Sequence, residues 1–251
     1  MIRNIAAYRF VEIQDPPALA AGVRSWAEAA CLRGTVLVAP EGINLFLAGA
    51  DAGIEEFLRQ LRSDTRLAAI EVKDSWSRAL PFARLKVKLK REIISFRRED
   101  ASPLRGRAPA VTPADLARWR VQGHDDEGRR VVMLDTRNRE ETAHGAFAGA
   151  LCLPIDNFTE LPAALAAHRD ALADATVVSY CTGGIRCEKA ALWMRASGMD
   201  NVLQLEGGIL GYFEAVGGAG YEGRCFVFDE RVALDPALRP LVDDGAQAQA
   251  A

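Results

Sequence analysis

The chain has 251 residues, 49% of them hydrophobic and 26% charged, and a net charge of −3. That length can bury a substantial core and leaves room for two domains, and the composition is that of a soluble globular chain. Slight acidity excludes bulk attraction to a polyanion, no apolar run reaches membrane-spanning length, and the N-terminus lacks a secretory signal pattern; the five cysteines, odd in number and scattered, argue for reduced thiols in the cytoplasm over a disulfide framework.

Residues 3–13 alternate and predict a strand. Pro16-Pro17 opens a helical pattern through Leu19, Val23, Trp26 and Ala30, which Gly34 ends. Thr35 to Ala39 is a short apolar strand, Pro40-Glu41-Gly42 a turn, and Ile43 to Ala48 a returning strand. Asp51 caps a helix whose Ile54, Phe57, Leu58 and Leu61 share a face. Strand-like runs follow at Ala69 to Lys73 and Arg84 to Ile94. The order β-α-β-β-α-β is that of a ferredoxin-like (acylphosphatase-like) domain. Gly42-Ile43-Asn44 fits either a backbone contact to a ligand or, the favoured reading, a turn needing a permissive glycine.

From Arg84 the chain is at its most basic. Lys86, Lys88 and Lys90 alternate with Val87 and Leu89, so the lysines share one strand face, and Arg91 follows. A solvated sheet face explains the pattern, and so does a surface for a phosphate backbone. Phe82 and Phe96, which flank the run, read as core residues.

Ser102 to Val111 reads as a linker. Thr112-Pro113-Ala114-Asp115 starts a helix, with a cap, a proline in the first turn and an acid three residues after the cap. Strands then alternate with helices: strands at Val131 to Leu134, Leu151 to Ile155, Thr176 to Tyr180 and Val202 to Leu205, and helices at Leu161 to Leu172, Glu188 to Ala196 and through Tyr212-Phe213. This is an α/β domain with a mainly parallel sheet. The expected layout is a ferredoxin-like domain over 1–100, a linker over 101–111, the α/β domain over 112–216 and a C-terminal extension over 217–251. In that extension Arg224 to Asp229 could form a last strand, and Gly245 to Ala251 is a low-complexity tail expected to be disordered.

One stretch organises the rest: Tyr180-Cys181-Thr182-Gly183-Gly184-Ile185-Arg186-Cys187. A strand feeds a helix through a short loop containing Gly183 and Gly184. Loop amides and the helix start then make a nest for an anion, with Cys181 expected at its open mouth. The same field lowers a thiol pKa, and Arg186 adds a permanent charge. Cys181 to Arg186 is Cys-x4-Arg, one residue shorter than the loop of cysteine phosphatases, and its smaller space suits a sulfur-sized anion.

Cys-x4-Arg with internal glycines resembles the persulfide-carrying loop of the rhodanese family. Leu134-Asp135-Thr136-Arg137, the segment His144 to Ala150, and Leu205-Glu206-Gly207-Gly208-Ile209 resemble further rhodanese signatures. The whole chain is similar to a narrower group, the rhodanese-domain tRNA uridine(34) hydroxylases, also called TrhO. The matching stretches are Ala39 to Asn44, Lys86 to Ile93, Tyr180 to Ala190 and Phe226 to Val232. The resemblance implies oxygen-dependent conversion of the wobble uridine to 5-hydroxyuridine, with Cys181 as the catalytic cysteine and a persulfide as its described intermediate. It implies tRNA as partner, with Lys86, Lys88, Lys90 and Arg91 on the tRNA surface. No organic cofactor motif is visible, and molecular oxygen is the expected co-substrate. Longer members carry a cysteine-rich tail; here Cys225 stands alone, and no metal site is inferred.

A thiolate or persulfide at Cys181 could add to C6 of the pyrimidine, sending electron density to C5, with loop amides and Arg186 facing the enolate oxygen. Asp135 and Arg137 fit either an ion pair orienting the loop or one tying two strand ends. Cys187 could resolve an oxidised Cys181, although a small buried helix residue is the favoured reading. His144 reads as structural. The rival function is a rhodanese-type sulfurtransferase acting on thiosulfate or a persulfide, which needs the loop but not the basic strand.

Overall fold

The computed structural model describes residues 1–243; the tail read as low complexity lies outside them. Two compact units emerge. The first comprises residues 1–95, 228–232 and the stretch from Arg239, and the second comprises 96–227 and 233–238.

The first unit contains β1 (Ile2–Phe10), α1 (Pro16–Ala29), β2 (Arg33–Ala39), β3 (Gly42–Gly49), α2 (Asp51–Ser63) and β4 (Glu71–Ser77). These strands form an antiparallel sheet in the order β4-β1-β3-β2, the ferredoxin-like arrangement expected from the element order. A further strand, β5 (Leu85–Leu89), adds in parallel to the β2 edge. The helices bury one face each. Val23 and Ala27 of α1 join Ile54, Phe57, Leu58 and Leu61 of α2 against Ile5, Val36, Val38, Ile43, Leu45 and Leu47. Each large side chain so buried contributes about 1.5–3 kcal/mol.

Two details correct the sequence reading. The expected strand over 84–94 is regular only at 85–89, and Ile93 is instead clamped by the preceding turn. Glu41 Oε1 accepts its N–H at 2.7 Å, and Asn44 Nδ2 donates to its carbonyl at 3.2 Å. Gly42 is required there by close approach, since a Cβ would lie 2.0 Å from the Arg9 carbonyl oxygen. The structural reading of Gly42-Ile43-Asn44 therefore accounts for the motif. Likewise, β4 runs to Ser77, beyond the expected Lys73. Its buried Ser75 and Ser77 are held by hydrogen bonds from Arg231 Nη1 and Asn4 Nδ2, so the strand lacks the apolar alternation that marks a strand. Arg231 is fixed in turn by Asp229 at 2.6 Å.

In the second unit, residues 101–111, read from sequence as a linker, carry the end of one 3-10 turn (Glu99–Ala101), a second (Pro103–Arg105) and strand β6 (Ala110–Val111), which pairs within the sheet. Next come α3 (Pro113–Gln122), β7 (Val131–Asp135), α4 (Arg139–Thr142), β8 (Gly145–Phe147) and β9 (Leu151–Cys152). They are followed by α5 (Leu161–Leu165), α6 (Arg169–Leu172), β10 (Thr176–Tyr180), α7 (Ile185–Ala196), β11 (Val202–Leu205) and α8 (Gly208–Val216). The sheet is wholly parallel in the order β6-β11-β10-β7-β9, which is the α/β architecture expected. Thr112 caps α3 as predicted, its hydroxyl oxygen accepting the Asp115 N–H at 3.1 Å. Phe96 stacks on Phe158 in the core, as its reading required. In place of one last strand there are three short ones: β12 (Tyr221–Gly223) pairs with β8, and β13 (Cys225–Phe226) with β14 (Ala233–Leu234).

Candidate active site

Strand β10 is buried along its whole length and stands between β7 and β11, so its C-terminal end opens at the middle of the sheet. Ligands gather at the carboxyl ends of strands in such sheets. Cys181 is the first residue past that end, and the loop from Cys181 to Gly184 leads into α7 through a left-handed Gly184 with φ of 100°. The nest anticipated from the glycines is formed. Gly184 N–H donates to Cys181 Sγ at 3.1 Å, and the Arg186 N–H also bonds to the sulfur. Burial alone would push the Cys181 thiol up. The Cys187 S–H, the Arg186 guanidinium and these two amides outweigh it and bring the thiol down to about 6.

The amides face the sulfur because the loop carbonyls are held from behind. Ile209 and Leu210, in the first turn of α8, donate to the Cys181 and Thr182 carbonyls at 2.9 and 3.0 Å. Gly208, in the Gly-Gly turn read from the sequence, permits that approach. It has φ of 61°, and a Cβ on it would lie 2.5 Å from the Cys181 carbonyl oxygen and 2.7 Å from Gly184 N. Gly208→Ala is expected to cost roughly 1–2 kcal/mol in backbone strain and about 1–3 kcal/mol in overpacking. Thermal unfolding measures the total, and faster alkylation of Cys181 would report the displaced loop.

Two expectations need correction. Cys181 was expected at an open mouth, yet it has no exposed surface, because the loop wraps its own sulfur with amides turned inward. Gly183 remains half-exposed, and an ideal Cβ on it would meet no atom within 4 Å, so the loop faces open space there. Arg186 was expected to face the enolate oxygen with its permanent charge. Instead it is buried and engages Glu141 through both Nη atoms, at 2.5 and 2.7 Å. Of the two readings of Asp135 and Arg137, the side chains follow the structural one: they bond to each other and not to the loop. The pair is fully buried, with Nη2–Oδ2 at 2.7 Å, and Arg137 also donates to the Gly145 carbonyl at 2.6 Å, which ties β7 to β8. The loop is reached through Thr136, whose amide and hydroxyl both donate to the Tyr180 carbonyl.

Glu141 is the functional residue that sequence reading missed. It is N3 of the capping box that starts α4 and accepts the Asn138 N–H at 3.1 Å. Its carboxylate also takes the Thr182 hydroxyl at 3.3 Å. Burial would push that carboxyl up, but the Arg186 charge and hydrogen bonds hold it below its ordinary value. The spacing Asn138-x-x-Glu141 is the signal that could have found it as a cap, but the ion pair depends on tertiary packing.

His144 is structural: its carbonyl accepts the Arg224 N–H at 2.8 Å, and its ring lies against Phe226. Lys86, Lys88, Lys90 and Arg91 belong to the first unit, where their side chains are exposed. Among the described residues no cluster of three or more His, Cys, Asp or Glu is placed to hold a metal, and no helix is long and apolar enough to cross a membrane.

Comparisons with known proteins agree with both units. A family profile described as UPF0176 acylphosphatase like domain matches residues 2–93, and one described as Rhodanese-like domain matches residues 117–215. A tRNA uridine(34) hydroxylase of Xanthomonas euvesicatoria pv. vesicatoria is 70% identical over 243 residues, covering 97% of this chain and 98% of that protein. One from Xanthomonas campestris pv. campestris is 68% identical over 250 residues, 100% of this chain and 99% of its own. A third, from Xylella fastidiosa, is 64% identical over 243 residues, with 97% and 95% covered.

Proposed function

Because the chain belongs to the tRNA uridine(34) hydroxylase family, we propose that it converts uridine 34 of tRNA to 5-hydroxyuridine with dioxygen, and that Cys181 makes the base reactive. The observation that carries the role of Cys181 is its sulfur, held by the Gly184 N–H at 3.1 Å inside a loop pinned from behind by α8. The sulfur, as thiolate or as persulfide, adds to C6 of the pyrimidine. The displaced electron pair moves to C5 and the adjoining carbonyl oxygen, and loop amides supply donors for that enolate. Dioxygen bonds at C5 as a hydroperoxide, a two-electron reductant of the dithiol class takes the outer oxygen to water and leaves the hydroxyl, and loss of the C5 proton with departure of sulfur from C6 restores the ring double bond. Arg186, committed to Glu141, holds the loop and favours the thiolate rather than clamping an outside anion. The base enters beside Gly183, where the loop faces open space. A tRNA substrate supports a cytoplasmic location for the protein.

Purified protein, tRNA and isotopically heavy dioxygen test this reading. The heavy atom should appear in 5-hydroxyuridine. Oxygen drawn from water, or thiosulfate turnover without any hydroxylated nucleoside, overturns it; the latter result would make the chain a sulfurtransferase.

Lys86 and Lys88, exposed on edge strand β5, with Lys90 and Arg91 just beyond its end, are the proposed contacts to the tRNA backbone. The Glu41–Asn44 clamp on Ile93 fixes the end of that stretch. Replacing the three lysines by alanine should weaken tRNA binding and flatten its salt dependence, by roughly two units in the log–log slope if all three meet phosphates. Filter binding across a salt series measures it. Cys181 alkylation should not change.

A further inference from the structure

Hydroxylating a C–H bond with dioxygen draws one electron pair from the substrate and needs a second pair to make water of the other oxygen atom. Cys187 is placed to give it. It lies in the first turn of α7, fully buried, with its N–H bonded to the Gly184 carbonyl at 3.1 Å. Its thiol hydrogen-bonds to the Cys181 sulfur and lies 3.7 Å from Thr136 Oγ. The Thr136 hydroxyl already donates to the Tyr180 carbonyl at 2.9 Å, so Thr136 can only accept from Cys187. The Cys187 proton therefore has two acceptors, one of them the reactive sulfur. It can turn to Thr136 whenever Cys181 is bonded to something else. The Cys187 thiol faces the Cys181 sulfur within one buried turn around Gly184, and a disulfide would join them at about 2.05 Å. The other buried cysteine, Cys225, bonds its sulfur to the Phe226 carbonyl instead.

We propose that Cys181 and Cys187 form the dithiol that reduces the second oxygen atom in each turnover, with Cys187 as a further catalytic residue; this rests on the hydroxylase reading. With Cys181 bonded to C6, dioxygen at C5 becomes a hydroperoxide on protonation. The Cys187 thiol takes the outer oxygen: an S–O bond forms, the O–O bond breaks, and C5 keeps a hydroxyl while Cys187 becomes a sulfenic acid. Loss of the C5 proton expels Cys181 from C6. The freed Cys181 thiolate displaces hydroxide from the Cys187 sulfenic acid, giving the disulfide, and that hydroxide with the C5 proton is water. In sum, uridine, dioxygen and two thiols give 5-hydroxyuridine, water and one disulfide. A dithiol reductant must then restore the pair.

The test is a single turnover. Reduced full-length protein, freed of small thiols, is mixed with tRNA and dioxygen without added reductant. The expected yield is one 5-hydroxyuridine per protein with an equal amount of Cys181–Cys187 disulfide. Trypsin cuts at Arg186 between the two cysteines, so the disulfide appears as a linked peptide pair. Turnover should resume on adding a dithiol. Cys187→Ser should lower the burst about tenfold or more and be partly rescued by an external dithiol, which a purely structural defect would not be. Alkylation of Cys181 in that variant confirms an intact loop, and Cys187→Ala provides a second substitution. Stoichiometric product with both thiols intact, or an undiminished burst from Cys187→Ser, overturns the inference and leaves the hydroxylase reading standing. No product even with reductant overturns both.

Discussion

Cys181→Ser is expected to abolish 5-hydroxyuridine formation, by about a thousandfold or more, as loss of a nucleophile does in enzymes that use one. A serine fills nearly the same volume and can still accept the Gly184 N–H, so the loop should keep its shape. Its hydroxyl, however, stays protonated near neutral pH, and nothing in the nest is strong enough to ionise it. The result to seek is an activity loss with tRNA affinity unchanged, since the proposed phosphate contacts lie in the first unit. Nucleoside mass spectrometry of tRNA from cells carrying only the variant reads activity, and filter binding reads affinity. A Cys181→Ser protein that still hydroxylates uridine would remove the sulfur from the mechanism.

Glu141→Ala carries the largest structural cost. It strips the partner from a buried guanidinium, and breaking a buried pair from one side typically costs about 3–5 kcal/mol. The same change removes the N3 acid of the α4 capping box and the acceptor of the Thr182 hydroxyl. Arg186 would seek water and carry the start of α7 with it. Calorimetry should show the loss of stability, and Cys181 should become faster to alkylate. Glu141→Gln separates shape from charge. It can keep the bond from the Asn138 N–H, so stability should fall less, while the Arg186 charge, no longer shared with a carboxylate, should favour the Cys181 thiolate further. The pH dependence has a definite sign. Glu141 has a folded-state pKa below its ordinary value, so the pair's contribution is present above the unfolded value near 4.5 and is lost as pH falls through the folded one. Wild type should therefore lose more stability on acidification than Glu141→Gln.

The parts legible in the sequence were those where local chemistry and fold agree. Apolar β10, two loop glycines and a helical run after Arg186 can hardly pack otherwise, and Thr112-Pro113-x-Asp115 announced α3 at its first residue. The ferredoxin-like order followed from apolar stripes on α1 and α2. What stayed hidden depends on residues far apart in the chain. Glu141 looks like one more acid beside Glu140 until Arg186 reaches it across 45 positions. Strand β4 buries serines because Arg231 and Asn4 satisfy them, so no hydrophobic period marks it. Closure of the loop over its sulfur also lay beyond pattern reading. It follows from two carbonyls bonded to α8, and the Gly-Gly turn predicts only that some close approach occurs there.

At the centre stands the claim that Cys181 is ionised near neutral pH by its own loop. The most direct measurement is its rate of alkylation by iodoacetamide as a function of pH, resolved by peptide mass spectrometry so that the exposed Cys31 and Cys152 are counted separately. A thiol brought down to about 6 gives a rate that climbs through that pH and is flat well before pH 8. A rate still rising through about 8.5, where an ordinary cysteine ionises, would contradict it.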